Sequence, residues 1–308
     1  MSAASPPQRR PIVVGVEHSD RSLDGLALAR TLGRTLDAPL LLVSVYPVDP
    51  EPAEGAMGPY AQALESEATG ALDWAATPLA GVDFELRTVA CTSVARGLQD
   101  TAEAEDALAI VVGPSHQGRL GRIVPGSVGE RLLHGAPCPV AVAPRDYWAN
   151  PRPRIKRIGV GYISVPDARA ALDTAFAVAG QTGAALRILS VLEPPTVTAS
   201  IPLGWGYGDL DETRRRDVTR DISRAVEAAG PIEVSAQIVD GYADDELARL
   251  SGEVDLLICG SRGYGPVNSV LLGSISTGVL RKARCPVLIV PRGEAVDLTR
   301  LAKTPAAA

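Results

Sequence analysis

Short apolar runs alternate along this chain with stretches in which apolar residues recur at helical spacing. Residues 12–16 (IVVGV), 40–45 (LLLVSV) and 108–112 (LAIVV) hold almost no polar side chain, as expected of strands covered on both faces. Residues 82–89 (VDFELRTV) alternate apolar and polar, as a strand with one exposed face does. Between these runs, 22–36, 60–77 and 95–104 carry Ala and Leu at helical spacing, the second of them longer and more polar. A further helix leads into a closing strand at 140–143. The same succession then returns: strands at 158–160, 186–191, 232–239, 256–259 and 287–290, with helices at 167–182, 209–229, 244–250 and before 287. Strands alternating with helices predict an α/β fold, a mostly parallel sheet with helices on both faces. Such sheets bind ligands beyond the carboxyl ends of their strands, where strand order reverses.

The repetition extends to single residues. ALAIVVGPSHQGRLGRIVPGSVGERLLHGAPCPVAVAP, from Ala107, aligns with VDLLICGSRGYGPVNSVLLGSISTGVLRKARCPVLIVP, from Val254. Gly113 and Gly260, Gly126 and Gly273, Ser127 and Ser274, and Cys138 and Cys285 all stand 147 residues apart. The opening segments are offset by 146. A period this long means a duplicated domain, because solenoid units run to about 20–50 residues. The two prolines of YWANPRPR, at 147–154, suit a short stiff linker, so the expected domains are 1–149 and 150–308.

Composition narrows the function classes. The chain has 308 residues, which suits two domains, and carries 30 Lys and Arg against 36 Asp and Glu, a formal charge of −6. That balance lacks the clustered cations of a nucleic-acid binder. No apolar run reaches the roughly 18–20 residues of a membrane span, and MSAASPPQRR has no apolar core before its arginines, so a soluble cytoplasmic protein is expected. Cys91, Cys138, Cys259 and Cys285 sit in or beside apolar runs with no CxxC pair and read as reduced, buried core thiols. With only His18, His116 and His134, a His-rich zinc site is not expected. No GxxxxGK[ST] occurs, which removes the P-loop NTPases.

The segment richest in chemistry is 260–276, GSRGYGPVNSVLLGSIS, which follows a buried strand and opens a helix. Gly260 is expected to leave the strand with unusual backbone angles, and Gly263 to let backbone approach a ligand closely. Ser274 is expected to cap the helix, whose free N–H groups and dipole favour an anion. Alone, such a loop is equally well read as a bare turn.

The G-x2-G-x9-G-[ST] spacing, followed by an apolar helix and a CPV strand, resembles the universal stress protein family, and the resemblance runs through both copies. It implies a tandem member, with two five-stranded parallel sheets of the adenine-nucleotide α-hydrolase kind. The closing strands at 140–143 and 287–290 would join the copies as an intramolecular pseudo-dimer, with further homodimerisation left open. It also implies ATP, alone or with magnesium, as the ligand, and a regulatory role. Charge and hydropathy give the expectation of no nucleic-acid or membrane partner. With no candidate base or magnesium carboxylate beside the second copy's glycines, hydrolysis is expected to be at most slow and incidental. Carried over by position, the contacts in the second copy are Gly161, Ile163, Val191, Gly260, Arg262, Gly263, Gly273, Ser274, Ile275 and Ser276. A weaker set in the first copy is Glu17, Gly113, His116, Gly126 and Ser127.

Each copy departs from the pattern. ATP-binding members carry Asp-Gly-Ser after the first strand, whereas this chain reads Glu17-His18-Ser19 and Ile163-Ser164-Val165. The first copy also has His116 in place of the second loop glycine. Nucleotide is therefore expected in the second copy. Two other readings stand beside it: a nucleotide-free scaffold with degenerate sites, and a small acid–base or metal site made by Glu17, His18 and His116.

Overall fold

The computed structural model describes residues 9–49, 58–79, 81–115, 123, 126–163, 169–193, 207–228, 230–261 and 273–291. The first half runs β1 (Ile12–Gly15), α1 (Asp20–Leu36), β2 (Leu40–Tyr46), α2 (Pro59–Ala76), β3 (Phe84–Ala90), α3 (Val94–Ala104), β4 (Ala109–Val112), α4 (Ser127–Leu132) and β5 (Val140–Val142). The second runs β6 (Arg157–Gly161), α5 (Arg169–Thr182), β7 (Ala185–Leu192), α6 (Tyr207–Ala228), β8 (Val234–Asp240), α7 (Ala243–Leu250), β9 (Leu256–Gly260), α8 (Ser274–Lys282) and β10 (Val287–Val290). The duplication read from the sequence is thus a duplication of elements.

The strands form one sheet in the order β3-β2-β1-β4-β5-β10-β9-β6-β7-β8. Each half is a five-stranded parallel unit, and the order reads the same from either end. The halves meet where β5 and β10 pair antiparallel, Val142 opposite Val287 and Val140 opposite Ile289. Every residue of these two strands is buried, which their unbroken apolar sequences require. The outer strands β3 and β8 are the alternating ones and leave side chains such as Leu86 exposed. Two apolar layers cover the sheet, one under α1, α2, α5 and α6, the other under α3, α4, α7 and α8; both span the two halves.

Hydrogen bonds, more than its prolines, hold the linker. Buried Asp24 on α1 accepts the backbone N–H groups of Asp146 (3.1 Å) and Trp148 (3.0 Å). Thr31 donates to the Arg152 carbonyl at 2.6 Å, and Thr35 accepts from the Ile155 N–H at 3.0 Å. Beyond them Asp255, also buried, accepts the N–H groups of Lys156 and Arg157. One helix of the first half therefore fixes the path into the second.

Cys138, Cys259 and Cys285 are buried free thiols, but Cys91, just past edge strand β3, is only half-buried, because an edge strand has one covered side. Burial pushes the Cys138 and Cys259 thiols up to about 12, and Cys285 higher still. A thiolate-selective reagent at pH 8 is expected to modify one thiol, Cys91, in the native protein and four after denaturation. Rapid native labelling of Cys138 or Cys285, detected by mass spectrometry, contradicts this packing. Among the described residues no helix is long and apolar enough to cross a membrane.

Candidate functional site

Strand order reverses between β1 and β4 in the first half and between β6 and β9 in the second, so any ligand site is expected beyond the carboxyl ends of these pairs. In the first half a cleft of about 310 Å³ opens there. The ends of β1 and β4, the start of α1 and the start of α4 form its polar side, and Val94 and Leu98 of α3 its apolar wall.

Glu17, Gly113, Gly126 and Ser127 all line this cleft, so the structure brings these first-copy candidates together. The acid is already engaged: its Oε1 accepts from Ser19 Oγ (2.8 Å) and meets Arg21 Nη2 at 2.5 Å. Its backbone N–H donates to Ser22 Oγ at 2.9 Å, which fixes the turn into α1. A Cβ on Gly113 would lie 2.2 Å from the Arg21 carbonyl oxygen, so the start of α1 presses directly on this backbone. Gly126 is the N-cap of α4 in extended conformation, with no side-chain cap, and Ser127 is the first helical residue. His116 lies outside the described residues. His18 packs against Trp74 of α2, with ring centroids 5.0 Å apart and planes tilted by 33°. Among the described residues no three His, Cys, Asp or Glu side chains gather closely enough to hold a metal.

In the second half, Gly161 and Gly260 end the neighbouring strands β6 and β9. Gly161 is a packing glycine: a Cβ there would meet Leu247 of α7 at 2.9 Å. Gly260 continues the strand and is not among the positive-φ glycines, and a Cβ on it would meet only Ala171 at 3.7 Å. The expected unusual backbone at 260 is therefore absent, because the chain pairs with β10 up to that residue. Ser274 is not the cap either; Gly273 holds that position (φ −86°, ψ 169°) and Ser274 is the first helical residue. Ser276 Oγ donates to the Gly260 carbonyl at 3.1 Å, tying α8 to the end of β9. Ile163 is 44% exposed beyond β6 and Ile275 sits half-exposed at the start of α8, while Val191 is a buried residue of β7. Arg262 and Gly263 lie outside the described residues.

Three described side chains that motif reasoning did not single out carry a buried polar atom without a partner: Ser190, in the interior of β7, and two at the sheet's carboxyl edge, Ser261 and Arg21. Ser261, immediately after β9, is buried, and its Oγ has no hydrogen-bond partner. Arg21, lining the first cleft, has a buried Nε without a partner. Buried donors without acceptors are rare and call for an explanation. Ser261 was within reach of inspection, as a polar residue between a buried strand and a glycine; Arg21 had no motif to mark it.

A model of the universal stress protein family matches the chain twice, over residues 8–144 and 154–291. A universal stress protein of Mycobacterium tuberculosis is 27% identical over 295 residues, covering 93% of this chain and 98% of that one. One from Mycolicibacterium smegmatis is 29% identical over 292 residues, covering 91% and 96%. Among solved structures, a universal stress protein from Archaeoglobus fulgidus superposes with a TM-score of 0.64 at 24% identity, covering 93% of this chain and 97% of that one. A Pseudomonas aeruginosa structure gives 0.60 at 17% identity, covering 94% and 95%. At these identities the structural likeness speaks for the fold.

Proposed function

The chain belongs to the universal stress protein family, and we propose that it is a cytoplasmic regulatory protein that binds ATP in its second half. The observation that carries this reading is Ser261. Its hydroxyl is buried at the end of β9, without a partner, one residue past Gly260 and next to the start of the glycine loop. The first half has Pro114 at the equivalent place, which offers no hydroxyl. Gly273 begins α8 without a side-chain cap, so the first N–H groups of that helix are donors suited to phosphate oxygens. Ser276 braces the same corner through the Gly260 carbonyl. A phosphate group fits this donor set, and Arg262 and Gly263 would complete it by position in the motif. Magnesium, where present, would arrive on the phosphates.

Ile163 is the weak point, since it offers a ribose no acceptor. Restoring the acid with Ile163→Asp is expected to tighten ATP binding by roughly 10–100-fold, the equivalent of one charge-assisted hydrogen bond of about 1.5–3 kcal/mol. Isothermal calorimetry on both forms checks this, and an unchanged affinity removes Ile163 from the site. The scaffold reading has one observation of its own, because the Ser276–Gly260 bond already holds the corner together. It predicts no ATP uptake by either form.

A further inference from the structure

We propose that the outer edge of β3 docks a second copy of this chain, the two β3 strands pairing antiparallel about a two-fold axis at Leu86. β3 ends the 10-stranded sheet and, among the described residues, pairs only with β2. Its neighbour takes the odd-numbered backbone groups: the Leu40 N–H donates to the Asp83 carbonyl, and the Cys91 N–H to the Tyr46 carbonyl. Backbone groups alternate sides along a strand, so those of Phe84, Leu86 and Thr88 point away from the sheet. An open row of this kind is a template for another strand. The edge carries neither proline nor lysine, and Phe84 and Leu86 are 37% and 42% exposed on it.

The strand's own sequence selects the partner and the register. Leu86 stands in register with Leu42, and Glu85 and Arg87 on either side of it with Leu41 and Val43 of the opposite apolar layer. With Leu86 opposite Leu86 of the second copy, Glu85 of each copy faces Arg87 of the other. Both pairs fall at non-hydrogen-bonded positions, where antiparallel side chains lie closest. Leu86 then exchanges backbone bonds with Leu86, and Phe84 with Thr88, the residues whose groups face outward. Sliding the partner by two residues keeps bonds of this kind but sets Glu85 against Glu85, or Arg87 against Arg87. Only the register centred on Leu86 joins opposite charges with no like pair between them. Arg87 already meets Glu105 through one Nη at 2.9 Å, and its fork has further donors to give. The far edge of the sheet is not built this way: β8 has Ser235, Ala236 and Gln237 where β3 has Glu85, Leu86 and Arg87. The β3 edge lies in the other half from the proposed ATP site, and neither proposal rests on the other.

Sedimentation equilibrium of the full chain, without nucleotide, tests this. Two paired strands of 7 residues make a small interface, so a dimer dissociation constant on the order of 10 μM is expected. Glu85→Arg and Arg87→Glu should each weaken association by about 10-fold or more, because each sets like charges opposite one another. A mixture of the two single variants should associate more tightly than either alone. The double variant Glu85→Arg, Arg87→Glu should return to within about threefold of wild type, since the swap restores both pairs in this register and in no register shifted by two residues. The proposal is overturned if the chain stays monomeric at about 300 μM, thirty times the expected constant. It is overturned equally if Glu85→Arg leaves association unchanged, which would place the contact elsewhere, or if the double variant stays as weak as the single ones. Should Arg87→Glu fail to fold for want of its Glu105 pair, Leu86→Asp, which sets like charges across the axis, takes its place and must weaken association by the same factor.

Discussion

Gly113→Ala is expected to destabilise the protein by about 3 kcal/mol or more, lowering the unfolding midpoint by roughly 6–12 °C, whereas Gly260→Ala at the equivalent place should stay within about 0.5 kcal/mol. The two glycines carry the same letter in the same motif position. In the first half the added methyl would fall 2.2 Å from the Arg21 carbonyl oxygen and 3.0 Å from its carbonyl carbon. Both are backbone atoms, so relief requires α1 to move off the sheet. Gly25 shows how tight this contact is: a Cβ there would come within 3.0 Å of the Gly113 nitrogen. At Gly260 the methyl meets only the Ala171 Cβ at 3.7 Å, ordinary contact distance. Thermal unfolding of both variants by circular dichroism reads the difference. Equal midpoints for the two variants would mean that α1 does not press on β4 as described.

The second large effect is at Asp24. Asp24→Ala is expected to cost about 2–4 kcal/mol, because it strips the acceptors from two linker N–H groups in a buried setting. Asn should be intermediate, since its amide offers one acceptor and turns a donor toward the other N–H. Burial pushes the Asp24 carboxyl above its ordinary value, partly opposed by the N–H donors of Trp148 and Asp146. With the native pKa raised, the stability that Asp24 confers is fullest below the unfolded carboxylate value, near 3.8. It declines as pH rises through the raised pKa and is level beyond. The gap between wild type and Asp24→Ala should thus be wider in mild acid than at pH 7. Urea unfolding at several pH values tests this; a gap that widens with rising pH contradicts the assignment.

Much of this architecture was legible in the letters. Strands buried on both faces wrote themselves as IVVG and LLIC, and edge strands as alternation in FELRTVA, because burial is what selects those side chains. The closing-strand pairing came only from the family resemblance, since nothing in VAV or VLIV specifies an antiparallel partner. Boundaries moved little, with α1 starting at Asp20 two residues before its apolar face begins. The site was harder. Identical glycines at 113 and 260 do different things, because what matters is which backbone lies opposite. No motif marks Asp24 among the charges of α1, and only the linker's path shows its carboxylate facing inward. The cap expected of Ser274 shifted to Gly273, one residue earlier, which a hydroxyl preference could not foretell.

Calorimetric titration of ATP into the full chain and into Gly263→His tests the central claim most directly. Histidine at 263 copies the first half's His116 and places a side chain where the motif keeps backbone bare. The account predicts one ATP per wild-type chain and an affinity lowered by at least about 10-fold in Gly263→His. Binding that survives Gly263→His undiminished, or a wild type that takes up no ATP, would contradict it.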